Sequence, residues 1–293
     1  MRCSYESTRS HYGELLMKFV NITAEEKVPA LGMGTWHMGE RRVSHDEEIK
    51  SLQHGIDLGM RLIDTAEMYG EGATETLVGK AIAGRRDNVF LVSKVYPHNA
   101  TGRGTIAACE RSLARLGTDY IDLYLLHWRG NVPFGETIKA FERLQRDGKI
   151  RHWGVSNLDL ADMEELYSTP GGDQVAANQV LYNLTRRGIE WDLMPWCAER
   201  QIPVMAYSPI EQAQLLHAPR LRKLSMEINT SPAQLVLAWV LSRNNVIAIP
   251  KAAHCSHIDE NFGAIESTLN ADVLAELDKL FPPPDCAKSL EML

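Results

Sequence analysis

Apolar residues along this chain fall into short runs separated by longer amphipathic stretches. Strand-like runs begin near Leu31, Leu62, Val89, Ile121, His152, Ala177, Val204 and Val246, most of them at intervals of about 25 to 32 residues. Several of these runs (VFLV, LYLL, VMAY, VIAI) are continuous and not alternating, as expected for parallel strands covered on both faces. The stretches between them carry the helical period. Ser44, followed three residues on by Glu47, predicts a capping box before Ile49, Leu52, Ile56 and Leu58. Ser231 and Gln234 predict a second, with Pro232 at the first helical position, before Leu235, Leu237, Val240 and Leu241.

Eight strand–helix units in about 250 residues match the count and length of a (β/α)8 TIM barrel, a single α/β domain. A doubly wound dinucleotide fold would place GxGxxG after the first strand, but Gly32, Gly34 and Gly39 have the wrong spacing. The pattern over Met17–Ile22 predicts a short hairpin with the Val28 region. Residues 1–16 carry little pattern and are expected to be a disordered extension, with the barrel spanning 17–293. The unit between Tyr207 and Ser231 is long and is read as holding a loop insertion, Ile210 to Asn229. An extra helix, Ala271 to Leu280, is expected outside or beneath the barrel, and Pro282, Pro283 and Pro284 end regular structure. No linker, repeat or low-complexity tract marks a second domain.

Composition narrows the partners. A net charge of −7 argues against nucleic acid or an anionic membrane. No apolar run approaches the roughly 20 residues that a bilayer span requires. Five cysteines without a CxxC pair fit a reducing, cytoplasmic setting. No HExxH or Cys/His spacing suggests a metal.

The candidate chemistry gathers at strand ends. The stretch DTAEMYG places Asp64 directly after Leu62 and Ile63, with Tyr69 five positions on. The next two strands run into Lys94 and His127. In a barrel the carboxyl ends of strands converge on one mouth, so these four side chains can meet. Addition of a hydride to a carbonyl needs a proton donor. A tyrosine, with a pKa of roughly 10, becomes a useful acid when a cation stabilises its phenolate. Lys94 can supply that cation, Asp64 can hold it, and His127 can bond the substrate oxygen or pass the proton. Taken alone, Lys94 also suits a Schiff-base lyase, and His127 taken alone suits a buried core histidine. Trp36, Tyr96 and Trp128 are expected to face the mouth and grip substrate. Met68 reads as filler, and Arg41–Arg42 and Arg85–Arg86 as solvated surface.

Taken together, these residues resemble the aldo-keto reductases, over nearly the whole chain from about Met17. The resemblance runs through MGTW at 33–36, the four residues above, GVSN at 154–157, Asn178–Gln179, AYSP at 206–209 and IPK at 249–251. It is nearest to the bacterial branch associated with methylglyoxal reduction. It implies hydride transfer from NADPH to a small aldehyde or ketone, with Tyr69 as acid, and also the reverse oxidation of an alcohol or sugar. It further implies that Tyr207 stacks on the nicotinamide and that Ser156, Asn157 and Gln179 bond its carboxamide. Lys251 would meet the 2′-phosphate, and Glu260 and Asn261 the adenine. Some members of the family act as non-catalytic, nicotinamide-binding redox sensors, and this stands as an alternative. A monomer or weak homo-oligomer is expected.

Two positions depart from the family pattern. Ala252 and His257 stand where many members carry serine and arginine, and histidine lacks arginine's permanent bidentate charge. NADPH remains the expected cofactor, with NADH tolerated. No pyrophosphate contact is assigned to the segment after Pro209, and only Ser208, just before it, is assigned toward the pyrophosphate. The tail from Asp285 to Leu293 is short, so the grip on substrate is expected to fall to the aromatics at the mouth.

Overall fold

A computed structural model describes residues 17–40 and 42–293. The expectation for residues 1–16 falls outside the described residues. An antiparallel hairpin, β1 (Phe19–Asn21) and β2 (Lys27–Pro29), precedes eight parallel strands. These are β3 (Met33–Gly34), β4 (Leu62–Asp64), β5 (Phe90–Val95), β6 (Ile121–Leu126), β7 (Ile150–Ser156), β8 (Asn178–Leu181), β9 (Val204–Tyr207) and β10 (Val246–Ala248). Each strand pairs with the next in sequence. The ring closes where Gly32 N donates to Ala248 O at 2.8 Å and Ala248 N to Ala30 O at 2.7 Å, with Gly34 bridging to Lys251. The expected (β/α)8 barrel is what forms.

Burial separates into two layers, as period-two strands inside a helical ring require. Leu62, Phe90, Val92, Leu123, Leu125, Met205 and Ile247 fill the barrel interior, while Ile63, Leu91, Tyr124 and Val180 pack outward. Val20, Ile22 and Val28 of the hairpin join the inner layer and stopper the amino end of the barrel. Their burial contributes about 1.5–3 kcal/mol each. The opposite end is left for function.

The outer ring comprises α1 (His45–Leu58), α2 (Ala73–Ile82), α3 (Gly102–Leu116), α4 (Phe134–Arg146), α5 (Leu160–Ser168), α6 (Leu193–Glu199), α7 (Pro219–Glu227), α8 (Pro232–Ser242) and α9 (Cys255–Phe262). The capping box at Ser231 and Gln234 forms in full. The one at Ser44 forms by half: Ser44 accepts from Glu47 N, but the Glu47 carboxylate turns to His254 instead. Helix α10 (Ala271–Leu280) lies outside the barrel beside α7, tied down where Arg187 donates to Asp278 and to Phe281 O at 2.8 and 2.6 Å.

Two expectations about surface segments are corrected. Ile210–Asn229 is not an irregular insertion; it folds into a 3-10 segment, Glu211–His217, followed by α7, because Leu215, Leu221 and Leu224 bury one face and Pro219 starts the helix. Arg86 is not solvated. It donates to Asp122 Oδ2 at 2.7 Å and Tyr120 O at 2.9 Å and lies over the Tyr120 ring, linking strand starts at the stoppered end. Arg85 pairs with Asp57 at the surface.

Candidate active site

Strand parity aims the polar side chains at the open end. In β5, Phe90 and Val92 face the interior and Leu91 and Val95 face the helices, so Lys94 continues the inward row. The same parity carries Leu62 to Asp64, and Leu123 and Leu125 to His127. Tyr69 comes from the loop after β4. Gly70 and Glu71 both adopt left-handed backbone at φ 54°, turning the chain sharply behind the phenol.

The four side chains meet. Lys94 Nζ donates to Asp64 Oδ2 at 2.8 Å and to Thr65 O at 2.9 Å, and lies 3.3 Å from Tyr69 Oη. Asp64 is fixed in turn by Gln179 Nε2, 2.7 Å from Oδ1. The rings of Tyr69 and His127 meet edge to face, 5.7 Å between centroids. Lys94 is fully buried and Asp64 nearly so.

Burial and charge set the protonation states. Burial disfavours the Lys94 ammonium, but Asp64 and then Tyr69 favour it, and the net direction is upward from 10.5. Lys94 is therefore a charged group held by three partners, a poor amine nucleophile near neutrality. Burial raises the Tyr69 phenol above 10, Lys94 opposes that and Asp64 adds to it, and the net direction is upward. The cation thus limits a rise and does not make the phenol acidic in the resting site, because desolvation outweighs it. Burial, reinforced by the Lys94 charge, pushes His127 down to about 2. Its imidazole is neutral at physiological pH, which favours the hydrogen-bonding role over that of proton donor from an imidazolium. Its Nδ1 is buried without a partner among the described residues.

A cavity of about 460 Å³ opens over this cluster, within the roughly 300–1,000 Å³ of small-molecule sites. Asp64, Tyr69 and His127 line it together with Trp36, Trp128, Ser156, Asn157, Gln179, Tyr207, Ser208 and Lys251. The polar groups on the nicotinamide side of the expected site already bond one another. Ser156 Oγ donates to Gln179 O at 2.8 Å, Asn157 Nδ2 to His127 O at 3.1 Å, and Tyr207 Oη to Asn157 Oδ1 at 3.0 Å. Asn157 and Ser208 both sit at positive φ, 56° and 47°. Burial raises the Tyr207 hydroxyl to about 12, so it stays a neutral donor.

Some expected residues lie elsewhere. Tyr96 is not on the cavity wall; it packs edge to face on Trp128, 5.0 Å between centroids, and supports it from behind. Glu67 holds that support in place, accepting from Tyr96 N at 2.8 Å and Asn99 Nδ2 at 3.0 Å. His257, Glu260 and Asn261 ride on α9 away from this cavity, with His257 exposed and Asn261 buried. Met68 is no filler: it is exposed and lines the mouth. Arg42, read as surface, lines the wall near Lys251, and Met292 and Leu293 bring the short tail to the cavity. Arg41 falls outside the described residues. Among the described residues no group of three or more His, Cys, Asp or Glu could hold a metal ion, and no helix is long and apolar enough to cross a membrane.

Comparison with known proteins agrees with this architecture. The chain is 52% identical over 281 residues to the methylglyoxal reductase YeaE of Escherichia coli, covering 94% of this chain and 99% of that one. It is 34% identical to the glyoxal reductase of Bacillus subtilis, over 87% of this chain and 89% of that one. An aldo/keto reductase from Klebsiella pneumoniae, solved in complex with NADP and acetate, superposes with a TM-score of 0.92 at 48% identity, covering 94% of this chain and 100% of that one. The model of the aldo/keto reductase family matches residues 30–281. With a barrel of this topology and a cavity built on Asp64, Tyr69, Lys94 and His127, the chain belongs to the aldo/keto reductase family.

Proposed function

We propose that this protein reduces small aldehydes and ketones, methylglyoxal and aromatic aldehydes among them, to alcohols at the expense of NADPH. The observation that carries this reading is the Lys94 ammonium between Asp64 Oδ2 at 2.8 Å and Tyr69 Oη at 3.3 Å, beneath a cavity walled on another side by Tyr207. The similarity to methylglyoxal and glyoxal reductases supports the substrate class. The NADP-bound relative supports the cofactor.

The residues fit a nicotinamide. Tyr207, fixed through its hydroxyl to Asn157, offers a flat wall for a planar ring. Because Gln179 Nε2 is committed to Asp64, its carbonyl oxygen is the group left to accept from the carboxamide. Asn157 and Ser156 brace this wall and present their remaining capacity beside it. Lys251 supplies a cation for the 2′-phosphate. When bound, the reduced nicotinamide supplies the hydride that adds to the carbonyl carbon.

The chain's own groups manage the oxygen. Neutral His127, with its Nδ1 enclosed, uses Nε2 to orient the carbonyl oxygen beside Tyr69. As the carbon–oxygen π pair withdraws to oxygen, Tyr69 gives up its hydroxyl proton there. An alkoxide is a far stronger base than a phenolate, so a phenol with a raised pKa suffices, and its protonation is assured at neutral pH. Lys94 then stabilises the phenolate across the 3.3 Å contact. Trp36, Trp128 and Met68 give the mouth an apolar surface suited to small uncharged carbonyls.

A Schiff-base lyase is disfavoured by the engagement and raised pKa of Lys94. The test is NADPH consumption by purified protein with methylglyoxal, aromatic aldehydes and aldoses. Steady turnover with one of them, faster with NADPH than with NADH, is expected. Stoichiometric binding without turnover on the whole panel would favour a non-catalytic sensor.

A further inference from the structure

Lys251 is not the sole cation on its part of the wall. Arg42 lines the same cavity, and its positive charge is felt at Lys251, whose pKa is lowered by burial first and by Arg42 as well, with Glu48 and Glu40 opposing. The loop after β3 is anchored as far as Gly39. Gly34 N donates to Pro250 O at 3.0 Å, Thr74 Oγ1 to Met38 O at 2.7 Å and Gly39 N to the buried Glu48 Oε2 at 2.9 Å. The Arg42 side chain beyond that anchor is 63% exposed. It forms a long ion pair with Glu40, Nε 3.6 Å from Oε2 and beyond hydrogen-bond reach, and that same oxygen already takes His37 Nδ1 at 2.8 Å. The guanidinium fork is therefore not committed to Glu40. His257, by contrast, is exposed on α9 with its ring edge against His254, and it does not line the cavity.

Two cations on one cavity wall suit a ligand group carrying two negative charges, since Arg42 is held to Glu40 only by a long, exposed ion pair that a phosphate can displace. We propose that Arg42 is a second phosphate-binding residue, closing with Lys251 on the 2′-phosphate of NADPH; this rests on the cofactor reading above. The division of labour follows from side-chain chemistry. Lys251 acts as a point charge from the strand end, and Arg42 adds a planar, bidentate fork from the loop after β3. Arg42 thereby supplies the charge that His257 does not.

The test is equilibrium binding by calorimetry, without turnover, of NADP+, NAD+, adenosine 2′-monophosphate and adenosine 5′-monophosphate. The proteins are the wild type, Arg42→Gln, Arg42→Lys and Lys251→Gln. Arg42→Gln is expected to weaken NADP+ and the 2′-monophosphate by roughly tenfold, and NAD+ by less than about twofold, with Arg42→Lys between. Raising the salt should shrink the difference. Affinity for NADP+ within about twofold of wild type, or equal losses for NADP+ and NAD+ as a pyrophosphate contact would give, overturns the proposal. If Lys251→Gln discriminates between the cofactors while Arg42→Gln does not, this inference fails and the NADPH reading stands. If neither variant discriminates and the wild type binds both cofactors alike, the NADPH reading fails and takes this inference with it.

Discussion

Replacing Lys94 with methionine separates the two tasks assigned to its ammonium. The variant keeps the volume of an unbranched chain but removes the cation 3.3 Å from Tyr69 Oη. For full unit charges at that distance, an effective dielectric of about 20 gives an attraction of about 5 kcal/mol. Asp64 and Thr65 O share the same ammonium, so the part available to a developing phenolate is smaller, about 3 kcal/mol. That is the range found when one preorganised donor is removed from a charge-stabilising site. It corresponds to a loss of about two orders of magnitude in kcat. Folding suffers too, because the Asp64 carboxylate keeps Gln179 Nε2 but loses its charge partner, at a cost of about 3–5 kcal/mol. The double variant Asp64→Leu/Lys94→Met replaces the buried pair with apolar groups and should regain much of that stability without regaining turnover. The assay is the pH dependence of alcohol oxidation, which needs the phenolate as base and so accelerates as pH rises through the pKa of Tyr69. Lys94 lowers that pKa, so Lys94→Met should move the rise to higher pH. An unmoved pH profile with kcat within about threefold of wild type would refute the assignment.

Other consequences are independent of this pair. His127 titrates at about 2 when folded against 6.5 when unfolded, so its contribution to stability is fully present above pH 6.5 and is lost as pH falls toward 2. Urea unfolding should show His127→Gln flattening the decline between about pH 6.5 and 4, where this residue alone gives up to ~1.4 kcal/mol per pH unit; an unchanged slope would contradict a neutral buried imidazole. At the barrel seam, a Cβ on Gly34 would lie 2.7 Å from Ile249 O. Gly34→Ala should therefore cost about 1–3 kcal/mol, and a melting temperature equal to wild type would show that the seam can open.

Much of the barrel and of the candidate site is legible because both are written in short-range pattern. Continuous apolar runs gave strands covered on both faces, and parity within β4, β5 and β6 was enough to turn Asp64, Lys94 and His127 inward. What escaped depends on loops and on depth. Tyr96 follows a strand end as Trp128 does, yet it packs behind Trp128, a difference of layer that spacing along one strand does not encode. The segment after Pro209 reads as a loop because the helix carrying the buried Leu221 and Leu224 packs on α8, the next helix, and on α10 beyond it, and the spacing of these leucines carries little signal without those partners. Arg42 reads as an ordinary surface cation until closure of the ring brings its loop beside Lys251, 209 positions away in sequence. The sense of the Tyr69 shift was likewise hidden, since the cation is visible in sequence and the desolvation is not.

The central claim is that Tyr69 is the proton donor in a site that binds the cofactor through other residues. Its most direct test is single-turnover stopped flow on Tyr69→Phe, following NADPH absorbance after mixing the preformed binary complex with methylglyoxal, with the Kd for NADPH measured in parallel. The expected result is a Kd within about threefold of wild type and a hydride-transfer rate lower by at least about two orders of magnitude. A variant that consumes NADPH at the wild-type rate would contradict it.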